Sequence, residues 1–191
     1  MLRFLTDPAQ WPEFEGEDEM NTKFRNVVRN AFNVYMDTAR VLLEMICLGL
    51  KMDIGEFDKI LADHTSTYRL IHYPPRKDTI PTDCLLKNGD IISTAEHHDT
   101  SIMTLLANFD YLGLQVQNPA TEQWESIECV PGSFVVNVGT MLERMTRGRL
   151  RSTIHRVLDL GEERLSAPFF LEPGTYSDLY GRLLILNKLK S

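Results

Sequence analysis

Short strand-like segments follow one another between Thr67 and Leu171, with no long helical pattern between them. Each has about four to nine residues and is bounded by Pro, Gly, Asn or Asp. Because neighbouring parallel strands need long crossover connections, usually helices, this succession predicts an antiparallel sandwich or barrel. The segments are TYRLIHYP, a run around Ile91, SIMTLL, GLQVQN, WESIEC, SFVVNV, STIHRVLDL and RLSAPFFL.

A long amphipathic helix is predicted before these strands. Apolar residues recur at three- and four-residue intervals from about Asn21 to Leu50, and Gly49 is placed to end the helix. A second, short helix is predicted over Ile54–Leu61, with Asp53 as its cap. The predicted fold class is therefore mainly β with α, in which the long helix packs on a broad apolar surface.

Composition narrows the range of partners. The 191-residue chain has a net charge of −7, whereas a nucleic-acid partner requires a basic face. The longest apolar stretch, Val41–Leu50, is interrupted by Glu44 and is too short to span a bilayer. We therefore expect neither a nucleic-acid nor a membrane partner.

The spacing of the cysteines indicates the redox environment of the protein. Cys47, Cys84 and Cys129 show no CxxC spacing, which favours a reducing environment over a disulfide framework. The first residues lack the cationic and apolar regions of a signal peptide. A cytoplasmic location is therefore expected.

The segment AEHHDT, residues 95–100, places His97 and Asp99 two positions apart. On a β-strand, residues i and i+2 lie on the same face, so an imidazole and a carboxylate could bind one metal ion. Such pairs also arise by chance, because the pattern is short. A third candidate ligand is therefore needed before the pair indicates a metal site.

His155, in STIHRV, is the candidate third ligand. Two histidines and one carboxylate on one face of a metal ion leave positions open, as in non-haem Fe(II) oxygenases. A structural zinc site would instead be closed by four protein ligands. The sequence therefore predicts an open metal site, provided that the fold brings the strand of His155 to that of His97.

Gly161-Glu162-Glu163 is interpreted as the turn of a hairpin between STIHRVLDL and RLSAPFFL. A four-residue loop would place Asp159 opposite Arg164, and put Arg164 and Ser166 on the same face as His155. Four residues of strand span about 13 Å at ~3.3 Å per residue. A five-carbon dicarboxylate bound to the metal could then reach Arg164, whose planar fork suits a carboxylate.

Several of these segments, in this order and spacing, resemble the C-terminal catalytic region of one enzyme family. They are EHHDTSIMTLL, GLQVQN, the Trp of EQWESI, PGSFVVNVG, STIHRV and RLSAPFF. The family is the isopenicillin N synthase-like family of Fe(II)- and 2-oxoglutarate-dependent dioxygenases. The resemblance covers Tyr68 to Pro173 closely and the preceding helix more loosely.

The resemblance implies a fold and a set of site residues. The implied fold is a double-stranded β-helix, or jelly roll, preceded by the long helix. The implied iron ligands are His97, Asp99 and His155. The Arg-x-Ser motif of the family falls on Arg164 and Ser166, which would hold the distal carboxylate of 2-oxoglutarate. Tyr73 of LIHYPP is a further implied contact with this cosubstrate.

The implied activity is oxidation of a small organic molecule, by hydroxylation or desaturation, with Fe(II), 2-oxoglutarate and O2. The cosubstrate would be decarboxylated to succinate. Two alternatives stay open. A family oxidase can use the same ligands without 2-oxoglutarate, and a shortened chain can be a catalytically impaired metal-binding jelly roll.

For two polar neighbours of the implied ligands, the sequence predicts a role other than metal binding. His98 would point to the opposite strand face from His97 and is not expected to be a ligand. Asn137, in FVVNVG, is expected to satisfy backbone groups, although the resemblance places it near the metal.

The predicted domain organisation has three parts. Residues 1–66 form a helical segment that packs on the barrel, 67–175 the jelly-roll domain, and 176–191 a short helical tail. Full members of the resembled family carry further N-terminal strands. Without them, unpaired sheet edges would be exposed, so self-association through these edges is expected.

Overall fold

The computed structural model describes residues 11–12, 14–76 and 80–174. They belong to two compact units: one includes the described residues up to Arg69 and from Phe169 onwards, the other is Leu70–Pro168. The predicted boundaries at residues 66/67 and 175/176 stay predictions. The helical tail predicted at 176–191 lies outside the described residues.

The first unit contains two helices, α1 at Asp18–Leu50 and α2 at Asp58–Leu61. Helix α1 is confirmed at nearly its predicted length, but it ends in the left-handed conformation of Lys51 (φ 57°) rather than at Gly49. Helix α2 is shorter than predicted, because turns occupy residues 54–57. Neither helix is long and apolar enough to cross a membrane.

Aromatic rings form the core of the first unit. Phe32 and Tyr35 of α1 pack on Phe169, with ring centroids 5.4 and 5.5 Å apart. Tyr35 also lies 4.9 Å from Tyr68, in the short strand β1 at Thr67–Tyr68. Strand β1 pairs with the end of strand β9, Arg164–Leu171. The buried face of α1 therefore packs against aromatic residues of these two strands.

The second unit consists of short antiparallel strands in two sheets. One sheet has the order β3-β8-β5-β6; in the other, β4 lies between β7 and β9, and β2 pairs with the first residues of β9. This confirms the predicted mainly antiparallel architecture. The strands are β2 at Ile71–Tyr73, β3 at Ile92–His97, β4 at Met103–Ala107, β5 at Leu114–Gln117, β6 at Trp124–Ser126, β7 at Val135–Val138 and β8 at His155–Leu158.

The predicted hairpin between β8 and β9 is wrong. Strand β8 pairs with β3 and β5, whereas β9 belongs to the other sheet. The connection turns at Gly161 (φ 82°), whose N–H donates to the Asp159 carboxylate, and Arg76 forms an ion pair with Asp159. Turn residues mark where a chain reverses, but they do not determine whether the flanking strands pair.

A third helix, α3 at Thr140–Met145, follows β7 and was not predicted. Six residues are too few for helical periodicity to be recognised. The first two N–H groups of α3 donate to the carbonyl oxygens of Asp99 and Ser101, over 2.8 and 3.3 Å. The N–H of Gly139 donates to Ile102 at 3.0 Å. The start of α3 therefore fixes the backbone of residues 99–102.

We predict that Gly139→Ala destabilises the protein, because the added Cβ would overlap the Ser101 carbonyl group. We expect a loss of about 1–3 kcal/mol in the free energy of unfolding, the usual cost of overpacking. Gly49→Ala is the control, since open space surrounds that helical position and alanine favours helix. Urea unfolding followed by circular dichroism measures both. Equal stability of Gly139→Ala and wild type would contradict the assigned close approach.

Candidate metal centre

His97, Asp99 and His155 lie together, with one potential ligand atom from each within 4.8 Å of the others. The two histidines are directly opposite in the β3–β8 pair, and their ring centroids are 4.2 Å apart. Asp99 lies beyond the end of β3 rather than within the strand. Cross-strand pairing and the segment held by α3 therefore assemble the three predicted residues.

Backbone carbonyl groups fix the tautomer of both histidines. The Nδ1 atom of His97 lies 2.7 Å from the Ala95 oxygen, and that of His155 lies 3.2 Å from the Thr153 oxygen. Because a carbonyl oxygen only accepts, each Nδ1 carries the proton. Each Nε2, the nitrogen left to bind a metal, then lies 3.7 Å from one of the Asp99 carboxylate oxygens.

The three side chains differ in exposure. Asp99 is 6% and His155 13% exposed, whereas His97 is 40% exposed. Burial lowers the pKa of His155, and the Asp99 carboxylate partly opposes this effect. The neutral form of His155, which a metal requires, is therefore favoured.

The arrangement fits a divalent metal ion. A buried carboxylate is costly without a cation, and a divalent metal ion bound together with the two imidazoles would supply one. Two imidazoles and one carboxylate on one side of a site are the ligands of non-haem Fe(II). His98 does not belong to the group, since its Nδ1 lies 3.1 Å from Ser152 Oγ.

Asn137 of β7 holds the carboxylate of the cluster. Its Nδ2 donates to Asp99 Oδ2 over 2.8 Å. The same Nδ2 lies 3.3 Å from His155 Nδ1, but that nitrogen already donates to Thr153, so two donors face each other. Asn137 therefore lies beside the candidate ligands, as the resemblance implied, and its amide bonds to a side chain rather than to the backbone groups that the sequence analysis expected. A polar residue within the apolar run FVVNVG was the available signal.

Arg164 is buried at the start of β9, with 8% of its surface exposed. Its guanidinium lies 3.6 Å from the centre of the Tyr73 ring and 4.5 Å from that of Tyr111. Its Nη2 donates to Ser93 Oγ over 2.8 Å. Among the described residues these partners are neutral, and no carboxylate forms an ion pair with Arg164. A buried cation of this kind requires an anion, and a ligand carboxylate would supply one.

The other two predicted cosubstrate residues lie beside Arg164. Tyr73 is directly opposite it in the β2–β9 pair, and Ser166 is opposite Ile71. Ser166 follows Arg164 by two residues in one strand, and therefore lies on the same face. Strand pairing thus places Tyr73, Arg164 and Ser166 in neighbouring positions of the sheet, although β8 is not their neighbour.

Sequence reasoning missed Tyr111 and Ser93. The Tyr111 hydroxyl donates to the Leu158 oxygen and accepts from the Leu160 N–H, both over 2.8 Å, so its ring is held in place. Ser93 precedes His97 by four residues in β3, about 13 Å at ~3.3 Å per residue. No sequence pattern marks either residue.

Comparisons with known proteins agree with this chemistry. Residues 64–173 match the 2OG-Fe(II) oxygenase superfamily. A "2-oxoglutarate-Fe(II) type oxidoreductase" of Aspergillus fumigatus is 32% identical over 85% of this chain and 46% of its own length. The "Gibberellin 2-beta-dioxygenase 4" of Arabidopsis thaliana is 36% identical over 75% of this chain and 48% of its own. The chain spans about half the length of the curated relatives it matches.

Solved structures give the same result for the fold. A full-length Neurospora crassa protein in complex with alpha-KG and 5-formyluracil superposes with a TM-score of 0.75 and 26% identity. The match covers 90% of this chain and 56% of that one. The jelly-roll fold expected from the sequence is thereby confirmed, whereas the narrower isopenicillin N synthase-like assignment stays a prediction.

We predict that Asn137→Ala weakens metal binding about 10–100-fold, the usual effect of removing a group that orients a metal ligand. The reason is that Asp99 loses the donor that fixes its carboxylate. Anaerobic titration with Fe(II) or Co(II), followed calorimetrically, measures the affinity. Asn108→Ala is the control, because that amide bonds to Cys129. Unchanged affinity in Asn137→Ala would show that the bond to Asp99 does not orient the ligand.

Proposed function

Because the chain belongs to the 2OG-Fe(II) oxygenase superfamily, we propose that it is an Fe(II)- and 2-oxoglutarate-dependent dioxygenase acting on a small organic molecule. The proposal rests on two buried side chains of opposite charge in the second unit, a carboxylate and a guanidinium. Asp99 lies with two metal-ready imidazoles, and Arg164 is a buried cation that has no anion among the described residues.

His97, Asp99 and His155 would hold the iron. Their donor atoms are fixed before any metal binds, since backbone carbonyl groups orient both imidazoles and Asn137 orients the carboxylate. With iron, 2-oxoglutarate and O2 bound, the site would supply the oxidising power for C–H hydroxylation or desaturation, with release of succinate and CO2. His97 is the most exposed of the three side chains, so ligands would reach the metal from its side.

Arg164 would bind the distal carboxylate of 2-oxoglutarate, with Ser166 as a second donor. The rings of Tyr73 and Tyr111 hold the guanidinium and exclude water from it. Its charge-assisted hydrogen bonds would therefore form in a poorly hydrated environment, where they are strongest. This anchor would set the orientation of the cosubstrate relative to the metal ligands.

Arg164 also helps to distinguish the proposed dioxygenase from the two alternative functions. An oxidase that does not use 2-oxoglutarate would leave this cation without its expected anion. An impaired metal-binding module would bind Fe(II) and 2-oxoglutarate without turnover of the cosubstrate. Because the chain spans only about half the length of its relatives, the test must include this outcome.

We also propose a cellular location and the absence of two classes of partner. The free thiols Cys47, Cys84 and Cys129 support a cytoplasmic location. The net charge of −7 supports the absence of a nucleic-acid partner, and the absence of a membrane partner stays a prediction.

We predict a visible metal-to-cosubstrate charge-transfer band when Fe(II) and 2-oxoglutarate are added without oxygen, and succinate when oxygen is admitted. His97→Ala should abolish both, because it removes a metal ligand. His98→Ala is the matched control and should retain both. A band without succinate would favour the impaired module. The absence of a band in wild type would refute the enzyme assignment.

We predict that Arg164→Ala weakens 2-oxoglutarate binding about 10–100-fold, from the loss of charged hydrogen bonds worth about 1.5–3 kcal/mol. Iron affinity should stay close to that of wild type. Anaerobic titration followed by the charge-transfer band measures both.

Arg156→Ala is the matched control, since Arg156 is equally buried but stacks on Trp124. It should leave 2-oxoglutarate affinity unchanged. Equal loss of iron and 2-oxoglutarate binding in Arg164→Ala would instead indicate a role in folding.

A further inference from the structure

Helix α1 carries a second apolar stripe that faces solvent in the described structure. Five of its residues recur every seven positions and are 48–61% exposed: Met20, Val27, Val34, Val41 and Leu48. Ala31, Thr38 and Met45 fill the intervening positions at three- and four-residue spacing. We call these eight residues the α1 seam.

The α1 seam is distinct from the face of α1 that forms the core. At 3.6 residues per turn, the centres of the two faces are roughly 140° apart around the helix. The buried face consists of Val28, Phe32, Tyr35, Met36, Ala39, Leu43, Cys47 and Leu50. A helix that packs on one side only carries polar residues opposite its core face. The α1 seam is therefore an additional packing surface.

The seam has the pattern of a coiled coil. Met20, Val27, Val34, Val41 and Leu48 occupy position d of a heptad, and Ala31, Thr38 and Met45 occupy position a. Thr38, the polar member, is satisfied locally, because its hydroxyl donates to the Val34 oxygen over 2.8 Å. Phe24, at the first a position, is contacted edge-on by Trp11 and Phe14. Seven-residue periodicity is the signature of a helix that packs along another helix.

The geometry points to a second copy of this chain as the occupant, with the two α1 seams packed antiparallel in a symmetric dimer. In the register described below, residues 20–45 of each copy overlap for about 39 Å at 1.5 Å per residue, and a strip about 12 Å wide gives roughly 470 Å² per copy. The total of about 940 Å² is close to the area of about 1,000 Å² that a specific interface needs. An isologous contact uses one surface twice, as a self-complementary seam requires.

Charges beside the seam set the direction of pairing. The g positions are Lys23, Asn30, Asp37 and Glu44, all exposed. In an antiparallel pair with Val34 opposite Ala31, Lys23 of each copy faces Glu44 of the other. A shift by one heptad in one direction would instead place Asp37 opposite Asp37. The opposite shift would pair Lys23 with Asp37, but it would leave fewer seam residues in contact.

A parallel pair lacks this complementarity. There, g positions face e positions, two of which are Val28 and Tyr35, buried in the core of their own unit. The antiparallel register therefore gives two ion pairs per dimer, and the parallel one gives none.

Sedimentation equilibrium of the full chain over a concentration series tests the dimer. Wild type should show a monomer–dimer equilibrium, and Val34→Glu should weaken it at least tenfold by placing a charge in the seam. Val130→Glu is the matched control, because Val130 is 61% exposed and lies in the other unit. A monomeric wild type, or an association that Val34→Glu leaves unchanged, would overturn the proposal; the latter would favour the predicted sheet edges.

Charge exchange tests the direction. Lys23→Glu and Glu44→Lys should each weaken the dimer, and the double variant should restore it. Failure of the double variant to restore association would overturn the antiparallel register. The charge-transfer band of the iron and 2-oxoglutarate complex is measured in parallel and should persist in Val34→Glu, so loss of the dimer and loss of the proposed activity are distinguishable.

Discussion

The burial of the Asp99 carboxylate is the constraint on which the site depends. Asn137 of one sheet donates to it, the His97–His155 pair of the other sheet faces it, and the start of α3 holds its backbone. Three separate parts of the second unit are therefore arranged around one negative charge. Of these groups only Asn137 donates a hydrogen bond to the carboxylate, so a metal ion is the occupant that would balance its charge.

Arg164 is the complementary half of the same arrangement. Within the described part of the chain, its buried positive charge has aromatic and hydroxyl partners only. With Fe(II) at the triad and dianionic 2-oxoglutarate bound between the two, the formal charges of Asp99, Arg164, metal and cosubstrate sum to zero. The charges of Asp99 and Arg164 also sum to zero without ligands, whereas Fe(II) or 2-oxoglutarate alone would leave a net charge of two units. Binding of both would therefore be favoured over binding of either alone, which supports the proposed use of 2-oxoglutarate.

The features that could be predicted from the sequence are those with a local signal, whereas features that depend on tertiary packing could not be predicted. The strand RLSAPFFL and the candidate ligands His97, Asp99 and His155 were identifiable, because strand periodicity and ligand chemistry are local signals. The β8–β9 hairpin was wrong, because turn residues do not specify which sheet the next strand joins. Tyr111 and Ser93 reach Arg164 only through tertiary packing. Their roles leave no mark in the surrounding sequence.

Helix α1 shows how a correct prediction can conceal a second feature. The sequence pattern groups Val27 and Val34 with Val28 and Tyr35 as one apolar set, yet the first pair is exposed and the second is buried. Separation of the two faces also changes the expected route of association. In the sheet β3-β8-β5-β6, edge strand β6 has three residues and edge strand β3 has register shifts, both of which weaken edge-to-edge pairing. The α1 seam is longer and more regular than either edge of this sheet, which supports helix pairing as the proposed route of self-association.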